Sequence, residues 1–138
     1  MAWVSHTWHH FRYVDFKQVN NDFSGKQMPG NPKHTIASGI EMQRAAFSAN
    51  INYFFAGKLP LNDANSAYAD AYHLLGFKMG WEKMVNRSFI IKISTGAENI
   101  LNQVYSLGND INGFGGRYYN AAPGRNFFAS VALQWFYK

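Results

Sequence analysis

The 138-residue chain contains no cysteine, which removes disulfide frameworks and thiolate chemistry. Charge is sparse: charged residues make up 15% of the chain, 13 basic against 8 acidic, for a net charge of +5. The basic residues Arg12, Lys17, Lys26, Lys33, Arg44, Lys58 and Lys78 are scattered. They form no stripe of the kind that tracks a phosphate backbone, so nucleic acid is not an expected partner. No stretch approaches the roughly 20 consecutive apolar residues of a membrane-spanning helix. The opening Met-Ala-Trp-Val-Ser-His-Thr-Trp-His-His lacks the basic and apolar regions of a secretory signal. None of these absences bears on a transmembrane β-strand, which needs about 9–11 residues of alternating polarity.

What the chain has is aromatic residues, 17% of the total, and twelve glycines; the glycines with the low share of charge lean towards an all-β protein rich in turns. The segment Asn126 to Lys138 alternates. Phe127, Ala129, Val131, Leu133, Trp135 and Tyr137 fall on one face, and Ser130, Ala132, Gln134 and Lys138 on the other, with Phe128 and Phe136 among them. A period of two is the mark of an extended strand. The same period recurs in Ile36–Met42, in Phe47–Phe55, in His73–Trp81 and in Phe89–Ile93. A weaker aromatic and polar segment runs from Val4 to Phe16. Six strands are therefore expected.

The connections between them alternate in length. Lys17–Pro32, Gly57–Ala69 and Asn99–Arg125 are long, whereas Arg44–Ala46 and Lys83–Asn86 are short. Outer-membrane barrels show this asymmetry, with short periplasmic turns and long extracellular loops. Aromatics gather near strand ends, Tyr53, Phe54 and Phe55 at one rim and Trp81, Trp135 and Tyr137 at the other, where amphipathic rings prefer a membrane interface. A soluble sandwich or lipocalin-like barrel also alternates.

Candidate chemistry is thin. His6, His9 and His10 form a His-x-x-His-His cluster; on a strand only His6 and His10 share a face, too few for a zinc site without a Cys or carboxylate. His34 and His73 stand singly at strand starts, as interfacial or interior-facing histidines. Gly113-Phe114-Gly115-Gly116-Arg117 lacks the strand–turn–helix setting of a dinucleotide site and reads as a loop. Ser24, Ser94 and Ser106 have no nucleophile-elbow context. Glu41, Glu82 and Glu98 lie on polar faces of separate strands, which suits a solvated wall better than acid–base catalysis. No enzyme, metal or cofactor is expected. The ligand-contact candidates are Arg117, Tyr118, Tyr119 and Arg125 in the longest loop, because Arg recognises carboxylates and charged chelates bidentately and Tyr offers an apolar body with a polar tip. The alternative role for Tyr119–Arg125 is to shape the entry to the last strand through the Pro123-Gly124 turn.

Four segments carry a resemblance. They are Asn21-Asp22-Phe23-Ser24-Gly25-Lys26-Gln27-Met28-Pro29-Gly30-Asn31-Pro32-Lys33-His34-Thr35, Leu59-Pro60-Leu61-Asn62-Asp63-Ala64-Asn65 with Tyr68-Ala69-Asp70-Ala71-Tyr72, Ala97-Glu98-Asn99-Ile100-Leu101-Asn102-Gln103-Val104-Tyr105, and Tyr119-Asn120-Ala121-Ala122-Pro123-Gly124-Arg125-Asn126-Phe127. In this order they resemble the end of the barrel of TonB-dependent outer-membrane receptors. The resemblance spans about Phe16 to Lys138. It implies a Gram-negative outer-membrane location and uptake of a ferric siderophore, haem, cobalamin or similar ligand. The implied partners are outer-membrane lipid, the rest of the barrel and plug, and the TonB complex reached through the plug.

This chain shows no counterpart of the family's plug or TonB-contacting segment, and six strands fall short of the family's roughly 22. The expectation is thus an all-β, antiparallel transmembrane β-barrel segment of about six strands, residues 1–138, the C-terminal portion of a larger barrel without its plug and not functional alone. The competing expectation is a small self-contained β-barrel with a binding or structural role.

Overall fold

The computed structural model describes residues 1–137. Lys138, assigned by alternation to the polar face of the last strand, lies outside them. Twelve strands follow in chain order: β1 (Ala2–Trp8), β2 (Lys17–Gln18), β3 (Asn21–Asp22), β4 (His34–Arg44), β5 (Phe47–Ala56), β6 (Leu59–Pro60), β7 (Tyr68–Ala69), β8 (Tyr72–Asn86), β9 (Phe89–Glu98), β10 (Ser106–Asn109), β11 (Tyr119–Ala121) and β12 (Asn126–Trp135). A 3₁₀ turn covers Phe114–Gly116. No helix among the described residues is long and apolar enough to cross a membrane.

The six long strands form one antiparallel sheet in the order β1-β4-β5-β8-β9-β12. Each neighbouring pair is thus adjacent along the long-strand sequence, a plain meander. The six remaining strands are short ribbons, β2–β3, β6–β7 and β10–β11, one in each of the three long connections. The sheet is open: among the described residues β1 and β12 do not pair with each other.

Three boundaries differ from those the sequence predicts. The first strand is Ala2–Trp8, and Val4–Phe16 does not continue as one element. Past Trp8 the chain turns back on its own loop, with Met28 N donating to Phe11 O, Tyr13 N to Lys26 O and Gly25 N to Tyr13 O. A segment without clean alternation has no face to register against a neighbour, so local pairing takes over. Lys83–Asn86 belongs to β8 rather than to a turn. A register shift between Met84 and Asn86 accommodates the extra length, and the reversal falls at Arg87–Ser88, where Ser88 N donates to the Asn86 side chain at 2.9 Å. The last strand stops at Trp135, two residues before Tyr137.

Register decides which residues share a face, since directly opposed residues point the same way. Val4 opposes Ser38, and Ser38 opposes Tyr53. Ile40 opposes Ile51, which opposes Phe77. Trp81 opposes Ile93, and Ile93 opposes Val131. Carried across all six strands, this register collects Val4, Trp8, Ile36, Ile40, Met42, Ile51, Phe77, Met79, Ile93, Val131, Leu133 and Trp135 on one side. Many of them are solvent-exposed, among them Val4 at 74%, Leu133 at 72% and Trp135 at 65%. No described segment of the chain covers this side as a whole.

The opposite face is polar and small. Asn50, Asn52, Lys78, Glu82, Lys92, Ser94 and Ser130 line it, with Lys92 Nζ 3.1 Å from Glu82 and Ser94 Oγ 2.7 Å from Ser130 Oγ. Two of its aromatics lie over glycines: Trp3 opposes Gly39, and Phe128 opposes Gly96. A Cβ on Gly39 would sit 2.7 Å from the Trp3 indole nitrogen. A Cβ on Gly96 would meet both the Phe77 carbonyl and the Phe128 ring. The sheet has little core of its own, Ala56 and Ala97 being its only buried hydrophobics among the described residues. The main buried cluster, Leu59, Leu61 and Ala69, lies instead among the loops.

Because the Phe77 carbonyl is backbone and cannot retreat, Gly96→Ala is expected to weaken β8–β9 pairing by about 1–3 kcal/mol. Gly108→Ala, whose Cβ meets nothing within 4 Å, is expected to be close to neutral. Denaturant titrations of the two variants in detergent micelles check the contrast.

Candidate functional site

All three long connections leave the same end of the meander's strands, and they are locked to one another rather than splayed. The first runs from His9 to Lys33, the second from Gly57 to Ala71 and the third from Asn99 to Arg125. They meet at Asp63, a buried carboxylate. Tyr13 from the first connection donates its hydroxyl to Asp63 Oδ1 at 2.6 Å. Asn112 from the third donates Nδ2 to Asp63 Oδ2 at 2.7 Å and accepts from Asp63 N at 3.0 Å. Its own backbone N–H reaches Leu61 O. One carboxylate therefore takes donors from two other loops, the condition under which a buried charge is tolerated.

Asn65 makes a second latch. Its Oδ1 accepts from Gln27 N at 2.9 Å and its Nδ2 donates to Gln27 O at 2.8 Å, so one amide mimics a strand partner. Asn65 sits at φ +53°, the left-handed region that Asn tolerates better than other non-glycine residues. Lys26 Nζ donates to Ala64 O at 2.7 Å. Asn99, buried and at φ +47°, closes the root of the third connection by exchanging hydrogen bonds with Gln103 N and O, both 2.9 Å. Beneath these latches Leu61 packs with Leu59 and Ala69 against Ala67 and Tyr118.

Two hollows adjoin this platform. One, of about 700 Å³, lies between the second and third connections and the start of β8, with Tyr72, Tyr105, Leu107, Asn109 and Tyr119 in its wall. The other, of about 400 Å³, opens on the polar face of the sheet below and is lined by Trp3, Asn52, Phe54, Leu74, Glu98 and Tyr105. Tyr105 borders both and stacks on Tyr72, ring centroids 5.1 Å apart. Aromatic walls with a few polar groups suit an organic ligand held by stacking and hydrogen bonds.

The four loop residues expected to touch a ligand do not converge. Tyr119 lines the larger hollow, 61% exposed, and its hydroxyl donates to Tyr68 O at 3.2 Å. Tyr118 is turned down onto the Leu61 cluster. Arg117 and Arg125 are exposed and outside the walls of both hollows. Arg125 N donates to the Asn102 side chain at 3.0 Å, a contact that fixes the approach to β12.

The remaining candidates separate in the same way. His6, His9 and His10 are not on one strand, because β1 ends at Trp8. His6 pairs instead with His34, Nε2 to Nδ1 3.1 Å. His10 stacks on Trp8, and His9 lies edge-on to Phe11. Among the described residues no group of three or more His, Cys, Asp or Glu is placed to hold a metal. Ser24 and Ser106 are occupied in loop hydrogen bonds. The residues that sequence reasoning passed over are the latches Tyr13, Asp63, Asn65, Asn99 and Asn112. Asparagines recurring between turn signals carried the hint, since they favour left-handed turns. No family model matches the chain.

Burial, followed by the hydrogen bond to Asp63 and its charge, pushes the Tyr13 hydroxyl up from 10.0 to about 12. The folded state therefore holds the neutral phenol more tightly than the unfolded state does. That stabilisation is fully present below pH 10.0, and it is lost as pH rises through about 12. Limited proteolysis of the loops is expected to accelerate across this alkaline window. Tyr13→Phe should already be loosened at neutral pH, by about 1–3 kcal/mol, and show no such step. Asp63→Ala, which orphans both donors, is expected to expose the third connection to protease at neutral pH.

Proposed function

We propose that this chain is a wall segment of an outer-membrane receptor barrel of the TonB-dependent type, taking part in uptake of a ferric siderophore or similar ligand. The observation that carries the reading is the continuous apolar side of the six-stranded sheet, exposed from β1 to β12 and set against a polar side. In water each large apolar side chain left exposed forgoes about 1.5–3 kcal/mol of burial. In a bilayer the same face is solvated by lipid, and the polar face becomes the inner wall.

The dimensions agree with a bilayer. On β5, Phe47 and Phe55 are eight residues apart on the apolar side, as are Phe127 and Trp135 on β12. Eight residues span about 26 Å along a strand at roughly 3.3 Å each. At a tilt of about 35–45° that projects to about 20 Å, near the height of the apolar band of such barrels. Aromatic rings then mark both interfaces. Phe89 and Trp135 stack at the short-turn end, 6.3 Å between centroids, where Arg44 and Lys83 on the same side can extend towards water. At the other end stand Trp8, Tyr53, Phe55 and His73. Thr95, a hydroxyl on this side, donates to Phe128 O at 3.0 Å, which spares lipid an unpaired polar group.

The open edges support membership of a larger barrel. Unpaired backbone groups in hydrocarbon cost several kcal/mol each, so β1 and β12 require further strands. The same observation weighs against a self-contained barrel, which needs those two strands paired to each other. The four loop segments resemble those of the family in their order, and the latches at Asp63 and Asn65 fall within them. On this reading the loop platform is extracellular, and the hollows around Tyr105 form part of the ligand's path.

Light scattering of the purified chain tests the reading. Without detergent the chain is expected to aggregate through its apolar side and edges, and in micelles to disperse with strand-rich circular dichroism. A monodisperse monomer in plain buffer would overturn the proposal.

A further inference from the structure

Where the apolar side of the sheet meets the loop platform there is a third hollow, of about 480 Å³. Its floor is Ile36 and Phe55, both on the apolar side, while His6, Lys33, His34 and Lys58 surround it. No carboxylate is among its lining residues. On a sheet whose apolar side otherwise carries charge only near the short turns, two lysines and two imidazoles converge at the opposite end.

The groups are held in place. His6 and His34 stack with ring centroids 5.4 Å apart and share a hydrogen bond. Lys58 Nζ lies 4.7 Å over the Tyr68 ring, a contact that orients the ammonium without neutralising it. Gly57 N donates to His34 O at 2.9 Å, which ties the root of the Lys58 loop to the start of β4. Among the described residues neither lysine ammonium is in an ion pair.

We infer that this hollow binds the phosphate headgroup of a lipid in the surrounding leaflet, with Lys33, Lys58 and the His6–His34 pair around the phosphate and an acyl chain along Ile36 and Phe55. The inference rests on the lipid-facing reading of the apolar side. Charge complementarity and the level of the hollow select the occupant. A phosphate needs cations, an acyl chain needs an apolar floor, and only an amphiphile lying at the interface satisfies both at once. A soluble anion would leave Ile36 and Phe55 uncovered.

Native mass spectrometry of the full chain in micelles doped with phosphatidic acid tests this, with diacylglycerol as the lipid lacking phosphate and inorganic phosphate as the soluble anion. Phosphatidic acid is expected to be retained in preference to diacylglycerol. Lys33→Ser or Lys58→Ser should weaken retention about fivefold each, and the double variant roughly 30-fold. Lys33→Arg with Lys58→Arg should keep it, which separates loss of charge from loss of fold. Equal retention of the two lipids by the wild-type chain overturns the inference while leaving the membrane reading intact, whereas a chain that takes up neither lipid overturns both. Inorganic phosphate that displaces phosphatidic acid at equal concentration also overturns it, because the acyl floor would then contribute nothing.

Discussion

A one-residue slip in an antiparallel sheet moves every side chain of a strand to the other face. In this sheet six strands hold one common register, and the whole architecture depends on it. Ile40, Ile51 and Phe77 fall in one cross-strand row, and Trp81, Ile93 and Val131 in another. Shifting β9 alone would set Lys92 and Ser94 into the apolar side and turn Ile93 towards Lys78 and Glu82. The cross-strand pairs of aromatic over glycine, Trp3 on Gly39 and Phe128 on Gly96, fix the same register from the other side. Uniform register is costly for a chain in water, because it concentrates apolar surface on a face with no cover. It is the arrangement that a lipid environment stabilises.

The loops solve a different problem. Long connections of 15 residues or more are entropically expensive to order, and here each forms a small ribbon and then docks on its neighbours. Asp63 is the common point. Its two oxygens serve Tyr13 and Asn112, residues about 50 positions away on either side. The buried cluster around Leu61 belongs to the same loops. A platform held at one buried carboxylate can present Tyr105 and Tyr119 in fixed places while leaving Arg117 and Arg125 to solvent. The division sets fixed aromatic rings beside solvent-exposed arginines.

Much of the sheet was legible in the sequence, because period-two alternation is a direct consequence of strand geometry. The faces of β4, β5, β8, β9 and β12 follow from residues such as Ile36, Ile51, Phe77, Ile93 and Val131. The alternation of long and short connections was equally plain. What alternation cannot show is where a segment without a face will pair. The pattern predicts one strand over Val4–Phe16, yet His9–Phe16 joins its own loop. The site was less legible still. Arg and Tyr residue types pointed to Arg117, Tyr118, Tyr119 and Arg125, but whether a side chain lines a hollow depends on loop docking. That docking is set by Asp63, Asn65 and Asn112 through contacts about 40–50 residues apart in sequence.

We propose that one side of the sheet faces lipid and the other does not. Four tryptophans make it directly measurable: Trp8, Trp81 and Trp135 lie on the apolar side and Trp3 on the polar side. Single-tryptophan variants retaining Trp135 or Trp3 can be reconstituted in bilayers and their fluorescence quenched by lipids brominated along the acyl chain. The account predicts strong quenching of Trp135 and weak quenching of Trp3, with the order reversed for aqueous iodide. Equal quenching of the two by brominated lipid would contradict it.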